Sequence, residues 1–161
     1  MSREKIEEVV SNEMQLMQAA VNDYDEAVAR ALGINRTDLR CLEILTGRES
    51  ATPSVLGPAL GLTTGSVTAM LDRLEKLGYL TRSPDPDDRR KVVVRITEEV
   101  REDTWGFYKA FAEEGAALMG GLSEAELELV GRFLRGAREM YDRQLDHVRT
   151  LPAVRTRKAR K

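Results

Sequence analysis

Four consecutive residues near the middle of the chain, Asp88-Arg89-Arg90-Lys91, form its densest charge cluster outside the C-terminal end. Guanidinium and ammonium groups packed this closely bind phosphate, and a neighbouring carboxylate can orient an arginine through a bidentate pair. Upstream stands a second cluster, Thr63-Thr64-Gly65-Ser66-Val67-Thr68-Ala69, in which hydroxyls alternate with small side chains. Hydroxyls hydrogen-bond to base edges or phosphates, and small residues allow a close approach to them. Ser54 and Arg73 flank this cluster as further donors. The rest of the inventory points away from bond-making chemistry. The chain holds one cysteine, Cys41, and one histidine, His147. An intrachain disulfide is impossible, and a zinc site would have to be completed by carboxylates. No nucleophile–base pair, glycine-rich phosphate loop or pair of catalytic acids stands out. We therefore expect no catalytic residues, no cofactor and no metal site, and an enzyme is disfavoured.

The elements that must position these groups can be read from periodicity. Residues 2–32 carry Ile6, Val9, Val10, Met14, Met17, Val21, Tyr24, Val28 and Leu32 at helical spacing, and Gly33 ends the run. Asn35, supported by Asp38, caps a second helix over about 36–47 with Leu39, Leu42 and Leu45 inward. Thr52-Pro53, a capping hydroxyl and then proline at the first helical position, starts a short third helix, in which Pro58 predicts a kink or an early end. Gly61 supplies a turn, and Thr63 caps a fourth helix over about 64–77, with Val67, Met70, Leu71, Leu74 and Leu77 buried. The period then changes from 3.6 to 2. Residues 79–82 and 91–96 read as strands, joined by the loop Ser83-Pro84-Asp85-Pro86-Asp87-Asp88-Arg89-Arg90. Thr97 caps a fifth helix over about 98–120, and the capping box Ser123-Glu124-Ala125-Glu126 opens a last one over about 124–148.

Composition sets the limits. The chain has 161 residues, 42% of them hydrophobic and 32% charged, which is globular rather than disordered. The net charge of −2 excludes a polycation, so any affinity for nucleic acid rests on local patches. Residues 149–161 carry six basic residues and no acidic one, and read as a disordered tail. No apolar run is long enough to span a bilayer, and the N-terminus has no apolar signal core, so a cytoplasmic protein with no membrane partner is expected. The first and last helices carry apolar stripes too large for one small lobe to cover. Their economical cover is a second copy, in a homodimer.

At 100° per residue, Val67, Met70, Leu71 and Leu74 share one face of the fourth helix. The opposite face carries Gly65, Thr68, Ala69, Asp72 and Lys76, flanked by Ser66 and Arg73. Such a face suits a major groove, with the positive helix N-terminus near phosphate. The arginines on the hairpin suit an adjacent minor groove. Helix, turn, helix and a charged hairpin make a mainly α fold, a winged helix-turn-helix with a two-stranded β wing and long terminal helices. Residues 60–82, Leu-Gly-Leu-Thr-Thr-Gly-Ser-Val-Thr-Ala-Met-Leu-Asp-Arg-Leu-Glu-Lys-Leu-Gly-Tyr-Leu-Thr-Arg, with the wing at 84–99, resemble the MarR (multiple antibiotic resistance regulator) family. The resemblance is strongest over 34–99. It implies two winged-helix lobes on a helical dimer, repression from a pseudo-palindromic operator in double-stranded DNA, and release by a small, often aromatic, effector. It also implies that Thr68 and its neighbours read the major groove, that Arg73 holds phosphate, and that Asp88 and Arg90 form the wing tip. Three residues depart from the family pattern: Ala69 where a basic or polar side chain is common, Pro58 in the supporting helix, and Val100 where glycine is usual.

The expected DNA-binding set is thus Ser54, Thr63, Thr64, Gly65, Ser66, Thr68, Ala69, Arg73, Asp88, Arg89, Arg90 and Lys91. Tyr24, Val28, Cys41, Trp105, Tyr108 and Phe111 form a candidate effector pocket, although aromatics at helical spacing also describe plain core. Cys41 fits a small core residue between Leu39 and Leu42; a redox-responsive regulator working through its thiol is the alternative. His147 suits the negative end of the last helix better than a metal. The expected layout is dimerisation helices over 1–33 and 98–148, a DNA-binding lobe over 34–97, and the tail over 149–161. A winged helix used only to bind proteins is the competing class. It would lack DNA affinity that falls with salt.

Overall fold

The structure is a computed structural model that describes residues 1–152, except the side chains of residues 103–105. The element order is α1 (Arg3–Ala31), α2 (Arg36–Thr46), α3 (Pro53–Leu60), α4 (Thr64–Lys76), β1 (Leu80–Pro84), β2 (Val92–Ile96), α5 (Glu98–Gly120) and α6 (Glu124–Thr150). The chain divides into two units, Met1–Lys109 and Ala110–Lys161, with the boundary inside α5. The basic tail lies beyond residue 152 for the most part, outside the described residues.

The first unit is built around α2, α3, α4 and the hairpin. Leu42, Leu45, Leu56, Leu74 and Val94 are fully buried there. Each such side chain stabilises the fold by about 1.5–3 kcal/mol relative to exposure. Local signals set the ends of these helices. The Asn35 side chain accepts from the Asp38 N–H at 2.9 Å, and the Asp38 carboxylate accepts from the Asn35 N–H at 3.5 Å, a complete capping box. After α3, Gly61 takes φ +66°, which lets the Leu62 N–H reach back to the Gly57 carbonyl at 2.9 Å. After α4, Gly78 does the same at φ +78°, with the Tyr79 N–H on the Leu74 carbonyl at 2.9 Å. Both are Schellman closures, which need a left-handed residue at that point.

Three expectations are corrected, and one is refined. Thr52 is the N-cap of α3, but its hydroxyl bonds to the Ser54 hydroxyl at 2.8 Å and caps no backbone N–H; Pro53 at the helix start needs no such partner. Pro58 lies inside α3 and does not stop it at once; the helix ends two residues later, at Leu60. Leu77 is 49% exposed rather than buried, because it is the C-cap of α4, where the helical period no longer sets its direction. The loop is shorter than expected, since β1 runs on through Ser83 and Pro84. Proline is tolerated there, at the end of an edge strand, because no ladder N–H is needed from it.

The hairpin is antiparallel, from Leu80 opposite Ile96 to Pro84 opposite Val92. A third strand of one residue completes the sheet: Ala51 exchanges both backbone hydrogen bonds with Val94, at 3.0 and 2.8 Å. A smaller core holds Val28, Ala29 and Leu39, with Tyr24, Leu32 and Ile34 packed against it. It ties the last turns of α1 to α2. The earlier apolar residues of α1 stay out of it, and Ile6, Val9, Met17 and Val21 are 44–54% exposed. In the second unit, α6 is opened by the Ser123–Glu126 capping box and buries none of its residues.

Candidate nucleic-acid interface

Helix α4 turns its apolar side inward, with Val67, Met70, Leu71 and Leu74 at most 2% exposed. Its other side is open from the start: Thr64, Gly65, Ser66, Thr68 and Ala69 are all exposed. A Cβ added at Gly65 would meet nothing within 4 Å, so the surface there is flat and unobstructed. The hydroxyls already have local partners. Thr63 caps the helix by accepting from the Ser66 N–H at 3.3 Å, and its hydroxyl and that of Ser66 are 2.9 Å apart. The Thr68 hydroxyl donates to the Thr64 carbonyl at 3.1 Å. Each hydroxyl oxygen still has lone pairs to offer, and Thr64 and Gly65 supply exposed first-turn N–H groups.

Arg73 has a partner that its sequence neighbours do not disclose. Its Nε and Nη2 donate to Oδ2 and Oδ1 of Asp38 at 3.0 and 2.6 Å. The Asp38 side chain is 1% exposed and that of Arg73 47%. The hydrogen bond to this carboxylate is the main reason that the Arg73 pKa rises above its usual value. Arg82 on β1 forms a second fork. Its Nε and Nη2 donate to Glu75 Oε2 at 2.9 and 2.5 Å, its backbone N–H to Oε1 at 3.1 Å, and its Nη1 lies 2.7 Å from Asp72. The clamp joins wing to helix. Asp38, Asp72, Glu75 and Arg82 are site residues that sequence reasoning missed: Asp38 shows only its capping role there, and nothing in the spacing couples Arg82 to α4.

At the wing tip, Asp85 Oδ1 accepts from the Asp87 and Asp88 N–H groups at 2.8 and 3.2 Å, an Asx turn. Asp88 does meet Arg90, but through Nε alone, at 3.2 Å, with Lys91 Nζ at 3.7 Å from its other oxygen. The expected bidentate pair is therefore a single-point contact: Oδ1 takes both the Arg90 Nε and its backbone N–H at 3.2 Å, while Oδ2 faces Lys91. The Arg90 side chain is 92% exposed.

Three open grooves gather the expected DNA-binding residues. One of about 990 Å³ brings together Ser54, Thr63, Thr64 and Lys91. A second, of about 360 Å³, joins Thr68 to Arg89 and Lys91, with Arg82 on its wall. The third, about 550 Å³, places Ser66, Ala69 and Arg73 opposite Asn35, Arg36 and Thr37 at the start of α2. Gly65, Asp88 and Arg90 line none of these three grooves.

Of the residues expected to form an effector pocket, Tyr24, Val28, Cys41 and Tyr108 lie in the first unit. Tyr24 and Tyr108 meet edge to face, with ring centroids 6.3 Å apart. The Tyr24 hydroxyl donates to the Phe107 carbonyl at 2.8 Å, and the Tyr108 hydroxyl to Glu43 at 2.9 Å. Burial, and then this hydrogen bond to Glu43, raise the Tyr108 phenol well above its ordinary range. Val28 and Cys41 are corrected to core residues: they are 3% and 0% exposed and packed into the two hydrophobic clusters. Phe111 is 62% exposed and belongs to the second unit. The Trp105 side chain lies outside the described residues. Burial pushes the Cys41 thiol up to about 12, and the nearby Asp38 charge adds to the effect, so its thiolate is suppressed at neutral pH.

The family model of the MarR family matches residues 34–92, the segment from the start of α2 through β1 and the wing tip to the first residue of β2. The HTH-type transcriptional regulator YcgE of Bacillus subtilis (strain 168), itself uncharacterized, is 36% identical over 126 residues, which span 78% of this chain and 82% of that protein. Among solved structures, a point mutant of MepR from a multidrug resistant S. aureus clinical isolate superposes with a TM-score of 0.66 at 20% identity, over 82% of this chain and 96% of that one. A different S. aureus MepR mutant, bound to an oligodeoxyribonucleotide, gives 0.57 at 21% identity, over 82% and 97%. The structural likenesses speak for the fold, while the extent and identity of the sequence match speak for common descent: the chain belongs to the MarR family of DNA-binding, helix-turn-helix transcriptional regulators.

Proposed function

We propose that the protein is a cytoplasmic homodimeric repressor that enters the major groove of a pseudo-palindromic operator with α4 and is released by a small-molecule effector. The observation that carries the docking mode is the open face of α4 over 64–69, small and hydroxylic, bordered by grooves that Arg89 and Lys91 of the wing share. A helix of this shape approaches base edges closely, while wing cations beside it favour the negative minor groove. The MepR mutant bound to an oligodeoxyribonucleotide, a protein of the same fold, supports DNA binding as the reading. For the dimer, the support is apolar surface: Leu134 and Leu145 on α6 are 47% and 49% exposed, and the first five turns of α1 are open in the same way. Residues 1–33 and 98–148 then serve dimerisation and 34–97 DNA binding. Release by an effector rests on family membership together with the grooves beside α4, where a bound molecule would compete with DNA. No single helix among the described residues is long and apolar enough to cross a membrane.

Selection of bound duplexes from random DNA tests this reading. The recovered motif should be a pseudo-palindrome with half-sites roughly 10 base pairs apart, centre to centre. A footprint confined to one isolated half-site would overturn the dimeric docking mode.

A further inference from the structure

Three of the four charged side chains on α4, all but Lys76, are held by partners within the protein. Asp72 and Glu75 hold Arg82 of the wing, and Arg73 is held by Asp38. The second pairing is unusual in its environment. Asp38 is the one charged side chain among the fully buried residues described, and its carboxylate faces an arginine on the helix that meets DNA. A buried carboxylate is expensive to keep, and apolar packing often serves stability as well or better. Its capping role, accepting from the Asn35 N–H at 3.5 Å, does not require the charge, because a neutral side-chain oxygen accepts the same bond.

We propose that Asp38 is a specificity-determining residue of the DNA interface: it neutralises Arg73 and fixes its guanidinium edge-on, so that the recognition helix meets DNA without a sequence-independent attraction. The inference rests on the docking of α4 proposed above. An unpaired arginine beside the backbone adds the same attraction to every sequence, because each neutralised phosphate releases counterions. Such a term raises operator and bulk DNA together and leaves their ratio unimproved. An arginine paired to a buried carboxylate presents no net charge, and its fork is used on Asp38 at both Nε and Nη2. What remains is an oriented edge in the groove with Ser66 and Ala69, useful where the duplex fits and of little use elsewhere. A net charge of −2 over the whole chain works in the same direction.

The test is Asp38→Asn, which keeps shape and removes charge. Full-length wild type and variant are titrated with the selected operator and with a scrambled duplex at several salt concentrations. The variant should bind scrambled DNA more tightly, by up to roughly eightfold at 0.1 M salt, with a slope of log affinity against log salt steeper by about 0.9, as expected for one released charge. Operator affinity should rise less, so the ratio falls. Adding Arg73→Gln to Asp38→Asn should return the scrambled-DNA slope to the wild-type value. If Asp38→Asn does not fold by circular dichroism, Asp38→Ser, which removes the same charge with a smaller hydrogen-bonding side chain, should show the same steepening and loss of ratio. An unchanged slope and ratio in the folded variant, with only a lower melting temperature, would overturn the inference and make the pair a structural tie. A wild-type protein with no preference for the selected site would instead overturn the docking of α4, and the inference with it.

Discussion

Replacing Arg73 by methionine should unfold this protein more easily, although the side chain sits on the surface of an exposed helix face. Methionine keeps the helix propensity and most of the hydrocarbon stem, so the perturbation is the loss of the fork. Asp38 is then left 1% exposed with the Asn35 N–H at 3.5 Å as its hydrogen-bond donor in place of three. Breaking a buried pair from one side costs about 3–5 kcal/mol, because the remaining charge is uncompensated. Arg73 itself is 47% exposed, and water entering beside the carboxylate places the cost at the lower end, about 3 kcal/mol. For a chain of this size that is a fall in Tm of roughly 6–12 °C. Urea denaturation followed by circular dichroism, at one fixed protomer concentration, measures it. Adding Asp38→Asn to Arg73→Met should recover more than half of the loss, since removing both charges leaves no orphan. A single variant within about 0.5 kcal/mol of wild type, or a double variant no better than the sum of the singles, would refute the reasoning.

Four further outcomes are expected. Glu75 is held below the usual carboxylate range first by its hydrogen bond from Arg82, so its stabilisation is full above that range and is lost as pH falls through the depressed value. Melting curves from pH 7 to pH 3 should therefore fall less steeply for Glu75→Gln, and parallel curves would contradict the clamp. Cys41 should resist alkylation at pH 8 in the folded protein and react at a rate set by unfolding; rapid labelling with the circular dichroism unchanged would show that the thiol is reachable. Arg90→Ala should weaken operator binding by about 1–3 kcal/mol if the 92% exposed side chain enters a groove, and equal affinity would remove the wing tip from the interface. Glutamates at Val130 and Leu134 should give monomers or unfolded protein by sedimentation, whereas an unaltered dimer would place the seam elsewhere.

The parts of this molecule legible in the sequence are those set by neighbours. The Asn35–Asp38 and Ser123–Glu126 caps follow from three-residue spacing, and the inward face of α4 follows from its helical period. The hairpin announces itself by the change of period after Gly78. What could not be read depends on the fold. Asp38 and Arg73 are 35 residues apart, and each is an ordinary polar residue in its own helix. Ala51 forms a strand of one residue, too short to have a period at all. Leu77 misleads because helical periodicity stops holding one position past the last helical residue. The surroundings of the aromatic set were not legible, because spacing says which residues share a helix face but not what packs against it: core takes up Val28 and Cys41, and Tyr24 and Tyr108 pack on each other.

Helix α1 is continuous for 29 residues, yet only its last turns are packed, at Tyr24, Val28 and Ala29. In the proposed dimer this divides folding into two kinetic orders. The lobe, with the end of α1, closes on itself at a rate independent of concentration. The first two-thirds of α1 leave the ribosome before the lobe but gain apolar cover only when a second chain arrives. With an association rate of about 10⁶ M⁻¹s⁻¹, a regulator made at about 1 nM waits on the order of 10³ s for that event. A cell restarting synthesis from few copies would thus pass through a period in which lobes are folded and dimers scarce. The length of that delay would be set by the surface of α1 rather than by anything on the face that reads DNA.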